Sequence, residues 1–132
     1  MSEPLTPKKR ILLVDDDLAI RVLYTRVLSA AGFEVQTAHH GRECLELIPD
    51  FQPDLIILDL VMPEQEGIET ILKLQQGNRA LPILAISGAL GAKEYLKVAG
   101  LLGARRTLAK PIRPEQLLHA VRSVLVHQTE PA

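Results

Sequence analysis

Acidic side chains follow two of the predicted strands, and both strands are continuously apolar. Asp15 and Asp16 come directly after residues 11–14, and Asp59 follows residues 55–58. Apolar runs of this kind are typical of parallel strands that are covered on both faces. Two carboxylates ~5 Å apart repel each other by roughly 3 kcal/mol at an effective dielectric near 20. A divalent cation removes that cost, and oxygen ligands suit a hard ion such as Mg²⁺.

Two further polar residues follow later predicted strands. Ser87 comes after residues 83–86, and Lys110 comes after a short strand at about residues 106–109. Sites in open α/β sheets form beyond the carboxyl ends of the strands, so we expect both residues to lie beside the acids. A carboxylate next to a metal can attack phosphorus and form an aspartyl phosphate. A metal and Lys110 would offset charge on the transferring oxygens, and the Ser87 hydroxyl could hydrogen bond one of them.

Each of these residue types also has an ordinary structural role. Asp17 is expected only to cap the helix that follows it. Ser87 alone would be a turn residue and Lys110 alone a solvated side chain, so the combination in this order carries the hypothesis. No histidine or cysteine is placed to favour zinc. Solvated or capping roles are expected for the four histidines, His39, His40, His119 and His127.

Strand-like runs alternate with helical patterns, which predicts an α/β fold with five strands, five helices and a parallel sheet. The first helix has an apolar stripe that includes Leu23 and Tyr24, and Gly32 ends it. The strand at residues 34–38 alternates weakly, which favours an edge position. Pro49 and Pro53 are expected to bracket a turn.

The composition limits the class of protein. Hydrophobic residues make up 47% of the chain and charged residues 23%, with a formal net charge of −1. This balance gives no general attraction to nucleic acid or to an anionic membrane. The single cysteine, Cys44, cannot form an internal disulfide, and we find neither a signal peptide nor the ~20 apolar residues of a membrane span. We therefore expect a cytoplasmic protein with a lead-in at 1–9, one domain at 10–126 and a tail at 127–132.

Taken together, the motifs resemble the receiver domains of bacterial two-component response regulators, the group that includes the chemotaxis regulator CheY. The resemblance extends from about residue 10 to residue 126. The motifs that carry it are residues 11–17, residues 53–59, Met62-Pro63 followed by Gly67, Ser87, and Lys110-Pro111. It implies a doubly wound, five-stranded parallel sheet of order 2-1-3-4-5, described as flavodoxin-like or CheY-like.

The resemblance implies a Mg²⁺ site at the acidic residues. Asp59 resembles the phosphoacceptor and a metal ligand of this family, and Asp16 resembles the direct metal ligand of the acidic pair. Asp15 resembles the member of the pair that positions metal-bound water. Val61 would supply its backbone carbonyl to Mg²⁺, so its side chain need not be polar.

The resemblance also implies roles for the remaining residues of the motifs. Ser87 matches the residue that contacts the phosphoryl group, and Lys110 matches the lysine that pairs with it. The peptide bond before Pro111 is usually cis in this family. A sensor histidine kinase or phosphotransfer protein would donate the phosphoryl group, and a downstream protein or appended output domain would receive the signal. A homodimer through the last helices is possible, and direct nucleic-acid or membrane binding is not expected.

One departure from the family pattern affects the output. Many receiver domains have an aromatic residue three positions before the lysine, and here that position is Thr107. We therefore predict that residues 89–103, which include Gly91 and Gly100, change order on phosphorylation in place of an aromatic rotation.

Two other functions stay open. One is a Mg²⁺-dependent phosphohydrolase. By analogy with haloacid-dehalogenase-type enzymes, it would need a general acid two residues after the nucleophile, where Val61 cannot serve. The other is an interaction module that keeps the receiver fold without phosphorylation. The first would release phosphate over many turnovers, and the second would not be phosphorylated by acetyl phosphate. The acidic set favours a phosphorylated switch, which is not a turnover enzyme.

Overall fold

Strands and helices alternate along the described part of the chain, as predicted. A computed structural model describes residues 7–60, 66–77, 81–88 and 92–129. The strands are β1 (Arg10–Val14), β2 (Glu34–Ala38), β3 (Leu55–Asp59), β4 (Ile83–Ser87) and β5 (Arg106–Ala109). The helices are α1 (Leu18–Ala30), α2 (Gly41–Phe51), α3 (Glu66–Gly77), α4 (Ala92–Leu101) and α5 (Pro114–Thr129).

The sheet is parallel throughout and has the order β2-β1-β3-β4-β5, which confirms the predicted topology. β2 lies at an edge, as its weak apolar pattern indicated. The register aligns the carboxyl ends of the strands, since Asp59 pairs with Ile86 and Ser87 pairs with Ala109. Residues at these ends therefore share one edge of the sheet.

The central strands are buried on both faces, which explains their continuous apolar sequences. On one face Leu12, Ile56 and their neighbours pack with side chains of α2, α3 and α4. On the other face Leu13, Ile57 and their neighbours pack with side chains of α1 and α5. Two hydrophobic layers thus hold the sheet between the helices.

Helix α1 begins with the predicted cap. The Asp17 carboxylate accepts a hydrogen bond from the Ala19 backbone N–H at 2.9 Å. At the other end, Gly32 has a φ of +99°, a left-handed conformation that suits glycine after a helix. Tyr24 is buried within the predicted stripe, whereas Leu23 is 48% exposed. The buried stripe is therefore narrower than the spacing indicated.

The prediction of a turn bracketed by Pro49 and Pro53 was wrong in part. Pro49 lies inside α2, and the helix continues to Phe51. The helix ends at Gln52, which has a φ of +52° and donates its backbone N–H to the Ile48 carbonyl at 2.8 Å. Phe51 is only 5% exposed, so its burial stabilises a last turn that proline disfavours.

Helices α4 and α5 include residues that the sequence did not favour in a helix. Helix α4 forms from Ala92 to Leu101 with Gly100 inside it. Helix α5 continues to Thr129, past His127, where the frayed tail was expected to begin. Within the described ranges, no helix combines the length and the apolar character that a bilayer crossing requires.

Cys44 is buried, as predicted, and burial raises the pKa of its thiol to about 12. The thiolate is the reactive form of cysteine, so this side chain acts as a small hydrophobic residue.

The approach of α3 to the end of β3 depends on Gly67. A Cβ atom there would lie 2.6 Å from Leu60 Cα and 3.0 Å from the Asp59 carbonyl oxygen. We expect Gly67→Ala to lower the free energy of unfolding by about 1–3 kcal/mol, because the backbone of Asp59 and Leu60 must move to make room for the new Cβ atom. Urea denaturation measures this change. Gly77→Ala is the control, since a Cβ at Gly77 meets nothing within 4 Å, and equal effects of the two substitutions would contradict the prediction.

Candidate functional site

The ends of four parallel strands bring the predicted polar residues together. Asp15 follows β1, Asp59 ends β3, Ser87 ends β4 and Lys110 follows β5. The sheet order places β1, β3, β4 and β5 side by side. Residues that are distant in sequence are therefore neighbours at one edge of the sheet.

Three aspartates at this edge form an acidic cluster. Asp15, Asp16 and Asp59 each offer a carboxylate oxygen, and these oxygens lie within 4.8 Å of one another. Asp15 and Asp59 are 0% and 3% exposed, whereas Asp16 is exposed. Buried carboxylates at this spacing repel one another in a poorly solvated environment. A donor set made only of carboxylate oxygens fits a hard divalent cation.

Asp15 is held rigidly within the cluster. One of its carboxylate oxygens, Oδ1, accepts the backbone N–H of Asp17 at 2.9 Å, and Oδ2 accepts from Lys110 Nζ at 3.0 Å. Its backbone carbonyl accepts from Arg21 Nη1 at 2.6 Å. Arg21 is only 8% exposed, and the apolar pattern of α1 gave no sign of this contact.

Lys110 joins two of the acids. Its Nζ donates to Asp15 Oδ2 and, at 3.3 Å, to Asp59 Oδ2. Burial alone would lower the pKa of Lys110, but the hydrogen bond to Asp15 and the charge of Asp59 outweigh burial, so its pKa is raised. The Lys110-Pro111 peptide bond is cis, as the family resemblance implied.

Ser87 places an unsatisfied hydroxyl beside the acids. The residue is 0% exposed, and its Oγ has no hydrogen-bond partner among the described residues. A buried polar group left unpaired costs about 1–3 kcal/mol. An acceptor oxygen delivered to this edge of the sheet would remove that cost.

A cavity of about 570 Å³ opens onto the cluster between α1 and the segment after β5. Its walls include Asp16, Asp59, Gly88, Lys110 and Tyr24. Gly88 leaves room for the lysine stem, because a Cβ there would lie 2.8 Å from Lys110 Cβ. The cavity gives an incoming group access to Asp59.

Tyr24 is a second residue at this site, after Arg21, that the sequence reasoning missed. Its place in an apolar stripe indicated only a core role. Burial raises the pKa of its hydroxyl, and the charges of Lys110, Asp15 and Asp59 also act on it. A tyrosine in an otherwise aliphatic stripe was the available signal.

The remaining predicted residues lie elsewhere or outside the described residues. His40 caps α2 by accepting the Glu43 backbone N–H at 3.3 Å, and His39 Nδ1 contacts the Glu43 carboxylate at 2.8 Å. His119 is exposed on α5. Val61 and Met62-Pro63 lie outside the described residues.

Comparison with known proteins agrees with the fold and the motifs. Residues 11–122 match the response regulator receiver domain family. The chain belongs to this family. The receiver domain is also 41% identical over 121 residues to the response regulator MprA of Mycolicibacterium vanbaalenii. That alignment covers 91% of this chain and 52% of MprA, so the chain spans about half the length of the curated relatives it matches.

Solved structures give the same result. A CheY-like receiver domain protein from Methanospirillum hungatei superposes with a TM-score of 0.85 at 30% identity, covering 92% of this chain and 96% of that one. The chemotaxis response regulator CheY4 of Vibrio cholerae gives a TM-score of 0.80 at 33% identity, covering 89% and 99% of the two chains. The chain is therefore a receiver domain of a two-component system.

The electrostatics of the acidic cluster predict how the receiver domain responds to a divalent cation. In metal-free buffer, we expect Asp59→Asn to raise the free energy of unfolding by about 1–2 kcal/mol, because relief of repulsion exceeds the lost Lys110 contact. Adding MgCl₂ should stabilise the wild type and stabilise Asp59→Asn much less. Urea denaturation with EDTA or with MgCl₂ measures both effects.

Asp50→Asn provides the control, since Asp50 is exposed on α2. It should respond to MgCl₂ as the wild type does. Equal stabilisation of the wild type and Asp59→Asn by MgCl₂ would contradict a cation at the cluster.

Proposed function

We propose that this receiver domain is a Mg²⁺-dependent phosphorylation switch in which Asp59 accepts a phosphoryl group. One arrangement carries the proposal. Asp59 lies in the carboxylate cluster, Lys110 Nζ is 3.3 Å from its Oδ2, and the unpartnered Ser87 hydroxyl ends the neighbouring strand. The nucleophile and the cation thus line one cavity, and the hydroxyl donor is buried at the end of the strand beside Asp59.

The residues that would hold Mg²⁺ are Asp15, Asp16, Asp59 and the backbone carbonyl of Val61. The all-oxygen carboxylate set supports this assignment. Asp15 already accepts hydrogen bonds on both carboxylate oxygens, which supports an indirect role through water for this residue. The role of Val61 rests on the family resemblance. When bound, Mg²⁺ offsets the negative charge of the carboxylates and of the phosphoryl oxygens.

The proposed transfer forms one bond and breaks one. An Asp59 carboxylate oxygen attacks phosphorus, while the phosphorus–nitrogen bond of a phosphohistidine donor breaks and its electron pair remains on the histidine nitrogen. Lys110 then faces the phosphoryl oxygens with its ammonium, and Ser87 donates its hydroxyl to one of them. The domain assists its own phosphorylation, and hydrolysis of the aspartyl phosphate resets the switch.

A sensor histidine kinase or phosphotransfer protein is the proposed donor, in the cytoplasm. The 41% identity with MprA supports this class of partner. The output would be a downstream protein or an appended domain, and a homodimer through the last helices belongs to the same proposal. The proposed domain limits are residues 10–126.

Acetyl phosphate tests the assignment of Asp59 without a kinase. With Mg²⁺, the wild type should gain one phosphoryl group. Asp59→Asn should abolish this gain because it removes the nucleophile, and EDTA should abolish it because it removes the cation. Intact-protein mass spectrometry measures the labelling. Asp54→Asn should label normally, because Asp54 precedes the opposite end of β3.

Two outcomes would overturn the proposal. Labelling of Asp59→Asn would move the phosphoacceptor elsewhere, and an unlabelled wild type would favour a phosphorylation-independent interaction module. Multiple-turnover release of phosphate from small esters would instead favour a phosphohydrolase.

We propose that α4 and its preceding segment report phosphorylation to the output face. Thr107 lies in β5, where it pairs with Ala85, and α4 packs against β5. The phosphoryl group adds roughly −1.5 to −2 charge beside Ser87, by analogy with other phosphoresidues. We expect hydrogen exchange of residues 89–103 to change when acetyl phosphate is added. Identical protection with and without it would contradict this readout, and Asp59→Asn is the control.

A further inference from the structure

The second turn of α1 places one long side chain next to the phosphoryl site. Long side chains on a helix point back toward the helix N-terminus. The N-terminus of α1 is Asp17, which lies at the same edge of the sheet as the acidic cluster. Tyr24 therefore extends from the second turn toward the site, and it lines the cavity that also contains Asp59 and Lys110.

The ring and the hydroxyl of Tyr24 have different surroundings. The residue is 3% exposed, and it belongs to the hydrophobic cluster between the sheet, α1 and α5. A buried tyrosine hydroxyl usually finds a hydrogen-bond partner. Among the described residues, the fully enclosed side-chain oxygens without a partner are those of Thr25 and Ser87. The Tyr24 hydroxyl is not among them, and because the residue packs in the core and also lines the cavity, we assign its hydroxyl to the cavity side of the ring.

Lys110 has a donor that this hydroxyl can accept. A lysine ammonium has three N–H donors. Asp15 and Asp59 each accept one of them. Among the described residues no hydrogen bond joins Lys110 to Tyr24 in this structure, but both line the same cavity, which leaves the third donor for the tyrosine oxygen during transfer.

We propose that Tyr24 is a positioning residue for phosphoryl transfer, whose hydroxyl oxygen accepts a hydrogen bond from Lys110 during transfer and keeps the ammonium aligned with the phosphoryl group on Asp59. This inference rests on the proposed function. Burial raises the pKa of the Tyr24 hydroxyl, and the charge of Lys110 opposes that rise, which agrees with their proximity. A leucine at this position would fill the same core volume but could not orient the lysine.

Tyr24→Phe removes the hydroxyl and keeps the ring. We expect phosphorylation by saturating acetyl phosphate to slow by about threefold to tenfold, the loss typical of one hydrogen bond. The melting temperature and the half-saturating acetyl phosphate concentration should stay unchanged, which separates this role from a structural one. Samples quenched at successive times and analysed by intact-protein mass spectrometry give the rates.

Two further variants test whether Tyr24 acts on the rate through Lys110. In a Lys110→Met background, Tyr24→Phe should slow labelling no further, because the hydroxyl acts through the ammonium. Thr25→Val should label at the wild-type rate, since Thr25 lines a different cavity, together with Val22 and Val35.

The outcomes separate this inference from the proposed function. A wild type that is not labelled overturns the proposed phosphorylation. A labelled wild type with Tyr24→Phe reacting at the same rate overturns only the role of Tyr24. Equal slowing by Tyr24→Phe with and without Lys110 also overturns it, because the tyrosine would then act independently of the lysine.

Discussion

The packing of three carboxylates against one lysine is the constraint on which the site depends. Asp15, Asp16 and Asp59 lie within 4.8 Å of one another, and Lys110 is hydrogen bonded to two of them. Three formal negative charges and one positive charge leave an excess of two negative charges. Burial of Asp15 and Asp59 restricts the water that could screen this excess. A divalent cation has the charge that balances it.

Much of this arrangement was predictable from the sequence, because the carboxyl ends of parallel strands all lie at the same edge of the sheet. A polar residue at the end of a continuously apolar run must lie at the carboxyl edge, which placed Asp59 and Ser87 correctly. Hydrogen-bond detail was not predictable. The contacts of Lys110 with Asp15 and Asp59 depend on side-chain geometry at three separate strand ends. Hydrophobic periodicity does not encode that geometry.

The errors in the prediction have specific physical causes. Pro49 was expected to border a turn, because proline disfavours helix interiors. Burial of Phe51 outweighs that preference and extends α2. The core position of Tyr24 was predicted correctly, but its place in the cavity wall was not, because helical spacing identifies a face and not how far a side chain reaches along the axis. Arg21 was missed for the related reason that its contact is to a backbone carbonyl, which no motif records.

The destabilising contacts within the site indicate which state of the domain its residues fit best. Crowded carboxylates and an unpaired Ser87 hydroxyl both lower the stability of the protein without ligands. Core packing alone would favour apolar residues at these buried positions. A cation and a phosphoryl oxygen would each convert a destabilising feature into a favourable contact. Contacts present in only one of two states are what shift an equilibrium between them. The same residues that make the unphosphorylated domain less stable would therefore supply the free-energy difference that the proposed phosphorylation switch requires.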